Sequence, residues 1–269
     1  MIKYIKGNFM IKIMKGADFI PTLLIGRASS VGFNNKNLYP ILGRPLMAYP
    51  IMAAKNCKRI SKVYLSTESE EMKNVGREYG IEIIDRPEYL SREKTLPEDV
   101  YLHGFNEIKK LNPDKEIKMV VLMVCNGATT KPQYMEEGIS VLLNDPKYDS
   151  AITVSNYDMY SPSRAMKIED GFLMPHLDQN MFPGVSSHRQ SVKTWFIDPC
   201  AMVVKSCCFD YDKYGQLPFR WMGKKMYPIK RDGGLDIDGK WQIPLVESWL
   251  REEGYTERDV PEWIDSNTL

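Results

Sequence analysis

The chain has 269 residues, of which 43% are apolar, so it is long enough to bury one large core. Thirty-six basic residues against 35 acidic ones leave a formal charge of +1, which excludes a global field that recruits nucleic acid or an acidic membrane surface. The sequence has no run of about 18 consecutive apolar residues, which excludes a transmembrane helix. We expect neither a nucleic-acid nor a membrane partner, so a local site must hold any anionic ligand.

The five cysteines form no C-x-x-C pair, and this pattern is typical of reduced thiols that pack as small apolar residues. The first 18 residues carry lysines and apolar side chains, without a continuous apolar stretch of signal-peptide length or a small-residue cleavage site. We therefore expect a soluble cytoplasmic protein in which residues 1–18 are an N-terminal extension and residues 19–269 form a single domain.

Short apolar runs alternate with helical patterns through the first 155 residues. Strands are predicted at 19–26, 62–67, 81–84 and 118–124, and helices at 45–58, 70–79, 98–111 and 132–144. This alternation is typical of an α/β fold with a doubly wound, mostly parallel, Rossmann-like sheet. Ligands of such a sheet bind beyond the carboxyl ends of its strands, so we expect the chemistry just after Gly26, Thr67, Ile84 and Val124.

The pattern after residue 150 changes to short extended pieces broken by Pro, Gly and Asp, which favours hairpins. Residues 157–192 are predicted to form a β-hairpin arm that packs on a partner subunit, because its exposed strands otherwise leave unprotected edges. A last amphipathic helix is predicted over 241–253. Four cations at 224, 225, 230 and 231 form a loose basic patch, interpreted as a solvated face or as a contact for an acidic substrate.

The loop GRASSVGFNNKN, residues 26–37, directly follows the first predicted strand. Its glycines, serines, arginine and lysine suit the cradling of phosphates by backbone amides and cations. It has neither the glycine spacing of the Rossmann fingerprint nor the Lys-Ser/Thr ending of a Walker A loop. Taken alone, the composition equally fits an ordinary polar loop, but the place after a strand favours a ligand-binding loop.

This loop resembles the opening of the CMP-sialic acid synthetases, which run roughly A-R-x-x-S-K-G-x-x-x-K-N and then G-x-P-L. The nucleotide-binding positions that the match carries are Gly26, Arg27, Ser30, Gly32, Lys36 and Asn37. The resemblance implies that Arg27 and Lys36 hold the triphosphate of CTP and that Asn37 helps to read the cytosine. Val31 replaces a family lysine, which removes one expected triphosphate contact.

The resemblance continues over residues 63–91, which are similar to the family's V-S-T-D, polar helix, Y-G and R-P-x-x-L-A segments. It implies that Arg86 contacts the nucleotide base, although alone this residue reads as a surface cation. After residue 124 the family has Q-P-T-S-P-L and this chain has CNGATT, so the resemblance places Cys125 and Asn126 on the acceptor side. With no identifiable histidine partner, Cys125 is expected to be a buried strand-end residue and not a nucleophile.

Residues 188–204 resemble a family segment with R-Q followed by a strand carrying N-G-A-x-Y. The resemblance implies that Arg189, with Gln190 beside it, faces the carboxylate of the acceptor, and a guanidinium suits such a planar anion. Pro199 and Cys200 replace the family's asparagine and glycine. The acceptor pocket is therefore expected to differ from that of the family.

The stretch GGLDIDG, residues 233–239, is similar to the family's S-I-D-I-D segment, in which two aspartates bind the catalytic divalent cation. A spacing of two in an extended chain puts Asp236 and Asp238 on one face. Hard oxygen ligands together with phosphates suit Mg²⁺, which the resemblance implies as cofactor. The local pattern alone also fits a glycine-rich turn with solvated aspartates.

Together these matches span residues 23–250 in the family's order and imply a homodimeric cytidylyltransferase of cell-surface glycan biosynthesis. The enzyme is expected to transfer CMP from CTP to a small acidic acceptor, with Arg27, Lys36, Asp236 and Asp238 as catalytic residues. The acceptor stays open among a sialic-type nonulosonic acid, a keto-octonate, and a phosphonate or phosphate compound. Two alternatives are a nucleotidyltransferase that uses another NTP with a sugar phosphate, and a noncatalytic nucleotide-binding protein of the same fold.

Overall fold

A computed structural model describes residues 18–29, 32–157, 160–188 and 191–268. Its strands are β1 Pro21–Ile25, β2 Pro40–Ile41, β3 Arg44–Pro45, β4 Lys62–Thr67, β5 Glu82–Asp85, β6 Met119–Val124, β7 Ser150–Asn156, β8 Met166–Glu169, β9 Phe172–Pro175, β10 Trp195–Lys205 and β11 Met226–Arg231. Its α-helices are α1 Ala48–Lys55, α2 Glu70–Glu78, α3 Pro97–Leu111, α4 Pro132–Asn144, α5 Tyr211–Tyr214 and α6 Ile243–Glu252.

The main sheet has seven strands in the order β11-β7-β10-β6-β1-β4-β5. Strand β1 lies parallel between β4 and β6, and Leu23 pairs in register with Tyr64 on one side and with Leu122 on the other. Strand β10 runs antiparallel to both of its neighbours, β6 and β7, while β11 is parallel to β7. The predicted α/β, mostly parallel sheet is therefore confirmed.

Helices cover both faces of this sheet because neighbouring strand residues point to opposite sides. Leu24 packs in one core cluster with side chains of α1, α2 and α4, such as Ile51, Met72 and Ile139. Leu23 packs in a second cluster with Tyr101 and other side chains of α3. The alternation of buried side chains along β1 thus produces the doubly wound arrangement.

Local sequence explains where several helices begin. The Ser69 hydroxyl accepts a hydrogen bond from the Met72 amide at 3.3 Å and caps α2. Helices α3 and α4 begin with Pro97 and Pro132, at a position where the missing amide donor costs nothing. Gly138 lets α4 approach the sheet, because a Cβ there would lie 2.6 Å from a Val203 methyl group.

The predicted elements agree with the structure to within a few residues at most ends, and the prediction for α4 matches both of its bounds. Strand β11 was not predicted. The hairpin β8–β9 lies inside the predicted arm at 157–192, while packing of that arm on a partner stays a prediction, as does the single-domain assignment. Residues 1–17 of the predicted extension lie outside the described residues. Within the described ranges, the helices are too short or too polar to cross a membrane.

Candidate active site

A cavity of about 360 Å³ opens beyond the carboxyl ends of β1, β5 and β6, where an open α/β sheet places its ligand. Its apolar wall includes Ile25, Leu90, Val100 and Val124. Its polar wall is formed by Arg27, Lys36, Asn37, Arg86, Arg92, Thr95, Asn126 and Asp238. Four cationic side chains and one carboxylate thus line it among the described residues, and this excess of positive charge suits a polyanionic ligand.

The first loop leaves β1 at Gly26, where a side chain has no room. A Cβ there would lie 2.7 Å from the Cys125 sulfur and would also strike the Met72 methyl group. The side-chain Nδ2 of Asn37 donates to the Arg27 backbone carbonyl at 3.0 Å and so connects the two ends of the loop. The buried Oδ1 of Asn37 has no hydrogen-bond partner in the described structure, so it remains available as an acceptor beside the cavity.

Arg86 directly follows β5 and is buried. Its guanidinium is held by Ser66 of the neighbouring strand β4 and by Glu68, which follows β4. Its Nε donates to the Ser66 hydroxyl at 3.2 Å and its Nη2 donates to the Ser66 carbonyl. Its Nη1 lies 3.9 Å from the Glu68 carboxylate. Burial lowers the pKa of Arg86, and the charge of Glu68 opposes that shift. The guanidinium therefore contributes a fixed positive charge to the cavity wall.

The aspartate loop, residues 233–239, brings the carboxylate of Asp238 into the cavity lining, while Asp236 is not part of that lining. Ile237 is fully buried and Asp238 is exposed, whereas Asp236 is half-buried, with its Oδ2 3.5 Å from the side-chain nitrogen of Asn126. Burial raises the pKa of Asp236, the neighbouring Asp238 charge raises it further, and Lys36 opposes the shift. This mutual repulsion fits a divalent cation. Clusters of three or more His, Cys, Asp or Glu side chains with metal-binding geometry do not occur in the described residues, so the protein would supply two carboxylates.

Side-chain and backbone hydrogen bonds hold this loop against the residues after β6. The side-chain Nδ2 of Asn126 donates to the Ile237 carbonyl at 2.9 Å, and the Ile237 backbone amide donates to the Asn126 backbone carbonyl at 3.0 Å. Beyond it, the Gln242 Oε1 accepts from the amides of Asp238 at 2.6 Å and Gly239 at 2.7 Å. Gln242 was missed by sequence reasoning because nothing local marks a glutamine in the turn before α6.

A network of buried polar side chains holds the start of the aspartate loop, at Gly234 and Leu235. Arg231 Nη2 donates to the Thr129 hydroxyl at 2.7 Å, and the same oxygen accepts from the Leu235 amide at 2.9 Å. The Ser155 hydroxyl accepts from the Gly234 amide at 2.9 Å and donates to Asp198 at 2.7 Å. The interpretation of Arg231 as part of a solvated basic patch is wrong, since its side chain is 1% exposed.

The structure brings together most of the predicted site residues that it describes. Gly26, Arg27, Lys36, Asn37, Arg86, Asn126 and Asp238 line one cavity, while Gly32 lies in the same loop with a positive φ of 93°. Their roles stay predictions. Ser30, Arg189 and Gln190 lie outside the described residues.

Cys125 behaves as the buried strand-end residue that we expected. It is fully buried beneath Gly26, and burial raises the pKa of its thiol to about 12. Its side chain is absent from the cavity lining, so the structure offers no support for its predicted contact with the acceptor.

The sequence analysis did not identify three polar residues at or beside the part of the cavity formed by residues 86–95. Arg92 and Thr95 line it directly, and the Arg92 carbonyl accepts a hydrogen bond from Arg27 Nη1 at 3.1 Å. Glu68 stands behind them at the end of β4. Only their position in the chain could have indicated these residues, because Glu68 follows the parallel strand β4, and Arg92 and Thr95 lie in the loop after the parallel strand β5.

Residues 22–167 match the family of cytidylyltransferases. The chain belongs to this family. The predicted resemblance is thereby confirmed. A protein of Helicobacter pylori named pseudaminic acid cytidylyltransferase and UDP-2,4-diacetamido-2,4,6-trideoxy-beta-L-altropyranose hydrolase is 24% identical over 65% of this chain and 32% of its own length. N-acylneuraminate cytidylyltransferase A of Danio rerio is 24% identical over 96% of this chain and 57% of its own length. The chain thus spans only part of the curated relatives that it matches.

Solved structures of other cytidylyltransferases share the fold. The CTP complex of CMP:2-keto-3-deoxy-manno-octonic acid synthetase has a TM-score of 0.63 at 12% identity, over 88% of this chain and all of that one. A 4-diphosphocytidyl-2C-methyl-D-erythritol synthase of Anaerococcus prevotii has a TM-score of 0.58 at 12% identity, over 87% of this chain and 97% of that one. Because the identity is only 12%, these structures establish the fold of this chain and nothing about its activity.

Proposed function

We propose that this chain is a CTP-dependent nucleotidyltransferase that transfers CMP to a small acidic acceptor and releases pyrophosphate. The observation that carries the proposal is the cavity at the carboxyl edge of the sheet, where Arg27, Lys36, Arg86 and Arg92 meet the aspartate loop. A triphosphate carries enough negative charge to match these four cations. Membership of the cytidylyltransferase family favours CTP over the other nucleoside triphosphates.

The proposed reaction is an in-line attack by an acceptor oxygen on the α-phosphorus of CTP. The bond between that oxygen and the α-phosphorus forms, the bond from the α-phosphorus to the bridging oxygen breaks, and pyrophosphate leaves. Catalysis is then mainly positioning and neutralisation of charge. Arg27 and Lys36 are proposed to stabilise the charge on the phosphates, and removal of one such group commonly costs about 3 kcal/mol of transition-state stabilisation.

Asp236 and Asp238 would hold Mg²⁺, as the raised pKa of Asp236 beside a second carboxylate supports. The ion would supply further neutralisation of phosphate charge. Lys36 already lies 2.6 Å from Asp238, so the same ammonium group is within reach of both the aspartate loop and the phosphates held by the first loop. We assign Lys36 the task of holding the triphosphate next to the aspartates.

The acceptor is proposed to be a sugar acid of the nonulosonic type, with a keto-octonate or a phosphonate or phosphate compound as alternatives. The names of two relatives refer to pseudaminic acid and to N-acylneuraminate, and both compounds are such acids. Asn126 is the predicted acceptor-side residue that lines the cavity. Arg189 is proposed to bind the acceptor carboxylate, with Gln190 beside it.

We further propose that the protein acts as a homodimer through the hairpin β8–β9. In this antiparallel pair Ile168 faces Leu173 and Met166 faces Pro175, so these four side chains share one face. Ile168 is 81% exposed and Leu173 is 65% exposed in the single chain. An apolar face of this kind on a projecting hairpin is a suitable surface for a second copy.

The test of the proposed activity is pyrophosphate release in the presence of Mg²⁺. Each of the four NTPs is combined with nonulosonic acids, keto-octonate, phosphonates and phosphorylated small molecules. Release with CTP and one acceptor is the expected result and names the product. Release only with another NTP would replace the nucleotide assignment. CTP binding without release across the panel would favour the noncatalytic alternative, and a lack of CTP binding would overturn the proposal.

A further inference from the structure

Glu68 connects two walls of the cavity that are far apart in sequence. It is the first residue after β4, and its side chain is 23% exposed. Its Oε1 accepts a hydrogen bond from the Ala28 amide at 2.9 Å, in the first-loop wall that carries Arg27 and Lys36. Its Oε2 accepts from the Ser91 hydroxyl at 2.9 Å, in the second-loop wall formed by residues 86–95.

The same carboxylate also lies beside a cation that lines the cavity. Arg86 Nη1 is 3.9 Å from Oε2 of Glu68. A negative charge at this place weakens the attraction of the cavity for phosphates, since like charges repel across a short distance of low dielectric. The attraction for phosphates alone therefore favours an uncharged residue at position 68, although the same charge stabilises the buried guanidinium of Arg86. The carboxylate also makes one hydrogen bond to each wall, which adds a geometric constraint to the effect of its charge.

Both walls are loops that start from strands of the main sheet and lead into elements outside it, β2 after the first loop and α3 after the second. The first-loop wall follows β1 and the second-loop wall follows β5, and β4 lies between these two strands in the sheet. Glu68, at the end of this middle strand, is placed to fix both loops. A second link lies at the mouth of the cavity, where Arg27 Nη1 donates to the Arg92 carbonyl at 3.1 Å.

We propose that Glu68 is a positioning residue that sets the spacing of the two walls, so that a single nucleotide can contact both at once. The proposal rests on the proposed function, in which the first-loop wall holds the triphosphate and Arg86 meets the base. A ligand that spans both walls gains from their fixed spacing, because it does not have to order them when it binds. A ligand that contacts one wall does not gain in this way.

The test compares two ligands on the variant Glu68→Met, which has a similar length and lacks both acceptor oxygens. A glutamine would keep both links, because its amide oxygen accepts from Ala28 and its NH2 group donates to the Ser91 hydroxyl. CTP and pyrophosphate are titrated by calorimetry into the wild-type protein and the variant. We expect the affinity for CTP to fall by about tenfold, with a matching rise in KM for CTP and little change in KM for the acceptor. The affinity for pyrophosphate should stay unchanged or rise, because the variant has lost a negative charge near the phosphates.

Glu82→Met is the matched control. Glu82 forms an exposed ion pair with Lys62 at 2.8 Å, at the opposite end of β4 and β5, so its loss should change neither affinity. Equal or tighter CTP binding by Glu68→Met would overturn the proposal in favour of electrostatics alone. Parallel weakening of both ligands together with a lower melting temperature would overturn it in favour of a merely structural role. If wild-type protein binds pyrophosphate and not CTP, the proposed function fails and this inference fails with it.

Discussion

The ammonium group of Lys36 lies 2.6 Å from Oδ1 of Asp238, across a separation of 202 residues in the chain. The Asp238 side chain is 73% exposed, so water screens this pair and its contribution to folding is below about 1 kcal/mol. The two side chains are therefore held in place by their loops and not by each other. Both can exchange this contact for a ligand without loss of the fold.

Replacement of Asp238 by Ala should lower kcat by at least about 100-fold, because it removes one of the two proposed metal ligands. The melting temperature should stay close to that of the wild type, since the lost side chain is exposed. Asp232→Ala removes an exposed aspartate outside the proposed metal pair and is the control. Turnover is measured as pyrophosphate release, and stability by thermal denaturation, for the wild type, Asp238→Ala and Asp232→Ala. Unchanged turnover in Asp238→Ala would refute the metal assignment.

Replacement of Thr129 by Val should destabilise the protein by about 1–3 kcal/mol, because Arg231 and the Leu235 amide both lose their acceptor in a buried place. The matched control is Thr22→Val. Thr22 is also fully buried, but its hydroxyl has no hydrogen-bond partner in the described structure. That variant should be neutral or stabilising. Urea denaturation measures both, and equal losses of stability would contradict the account of the network that holds the start of the aspartate loop.

A thiol reagent should modify one cysteine quickly in the native protein and the remaining four only after unfolding. Cys207 is exposed and the other four are buried. Burial raises the pKa of Cys57 to about 11 and those of Cys125 and Cys200 to about 12, so at pH 8 these thiols stay protonated and unreactive. A rise to pH 9 should not recruit them. Cys207→Ser should remove the fast reaction, and a second fast thiol that CTP protects would instead place Cys125 in the cavity.

The double replacement of Ile168 and Leu173 by Asp should convert a dimer to a monomer, because it places charges on the apolar face of the hairpin. Lys167→Ala changes a neighbouring position on the opposite face of the same strand and should leave the dimer intact. Light scattering at working concentration measures both variants. A monomeric wild-type protein would remove the hairpin from the proposed interface.

Elements with strong local signals could be predicted from the sequence. Helix α4 is bounded by a proline at its start and Asn144 at its end, and α2 begins after the capping Ser69. Strand β11 was missed because it contains Pro228 and lies at the edge of the sheet, where a missing amide donor is tolerated. Its local pattern therefore lacks the apolar run that marks a central strand.

The site was predictable where one loop carried its residues and unpredictable where contacts were distant. Arg27, Lys36 and Asn37 lie within one motif, and the structure places all three at the cavity. Glu68 depends on partners 40 and 23 residues away, and nothing beside it in the sequence indicates them. Arg231 reads as a surface cation until Asp198 and the rings of Tyr134 and Trp249 are brought around it.

The single antiparallel strand of the main sheet, β10, has a consequence for how substrate specificity can differ between relatives. Because β10 runs opposite to β7, the chain leaves β7 and enters β10 at the same edge, and the hairpin β8–β9 is inserted between these two points. The proposed nucleotide half of the cavity comes from residues before this insertion, up to Val124, together with Asp238 after it. Exchange of residues 157–192 between relatives should therefore transfer acceptor preference as a module while the choice of nucleotide is inherited from the host chain.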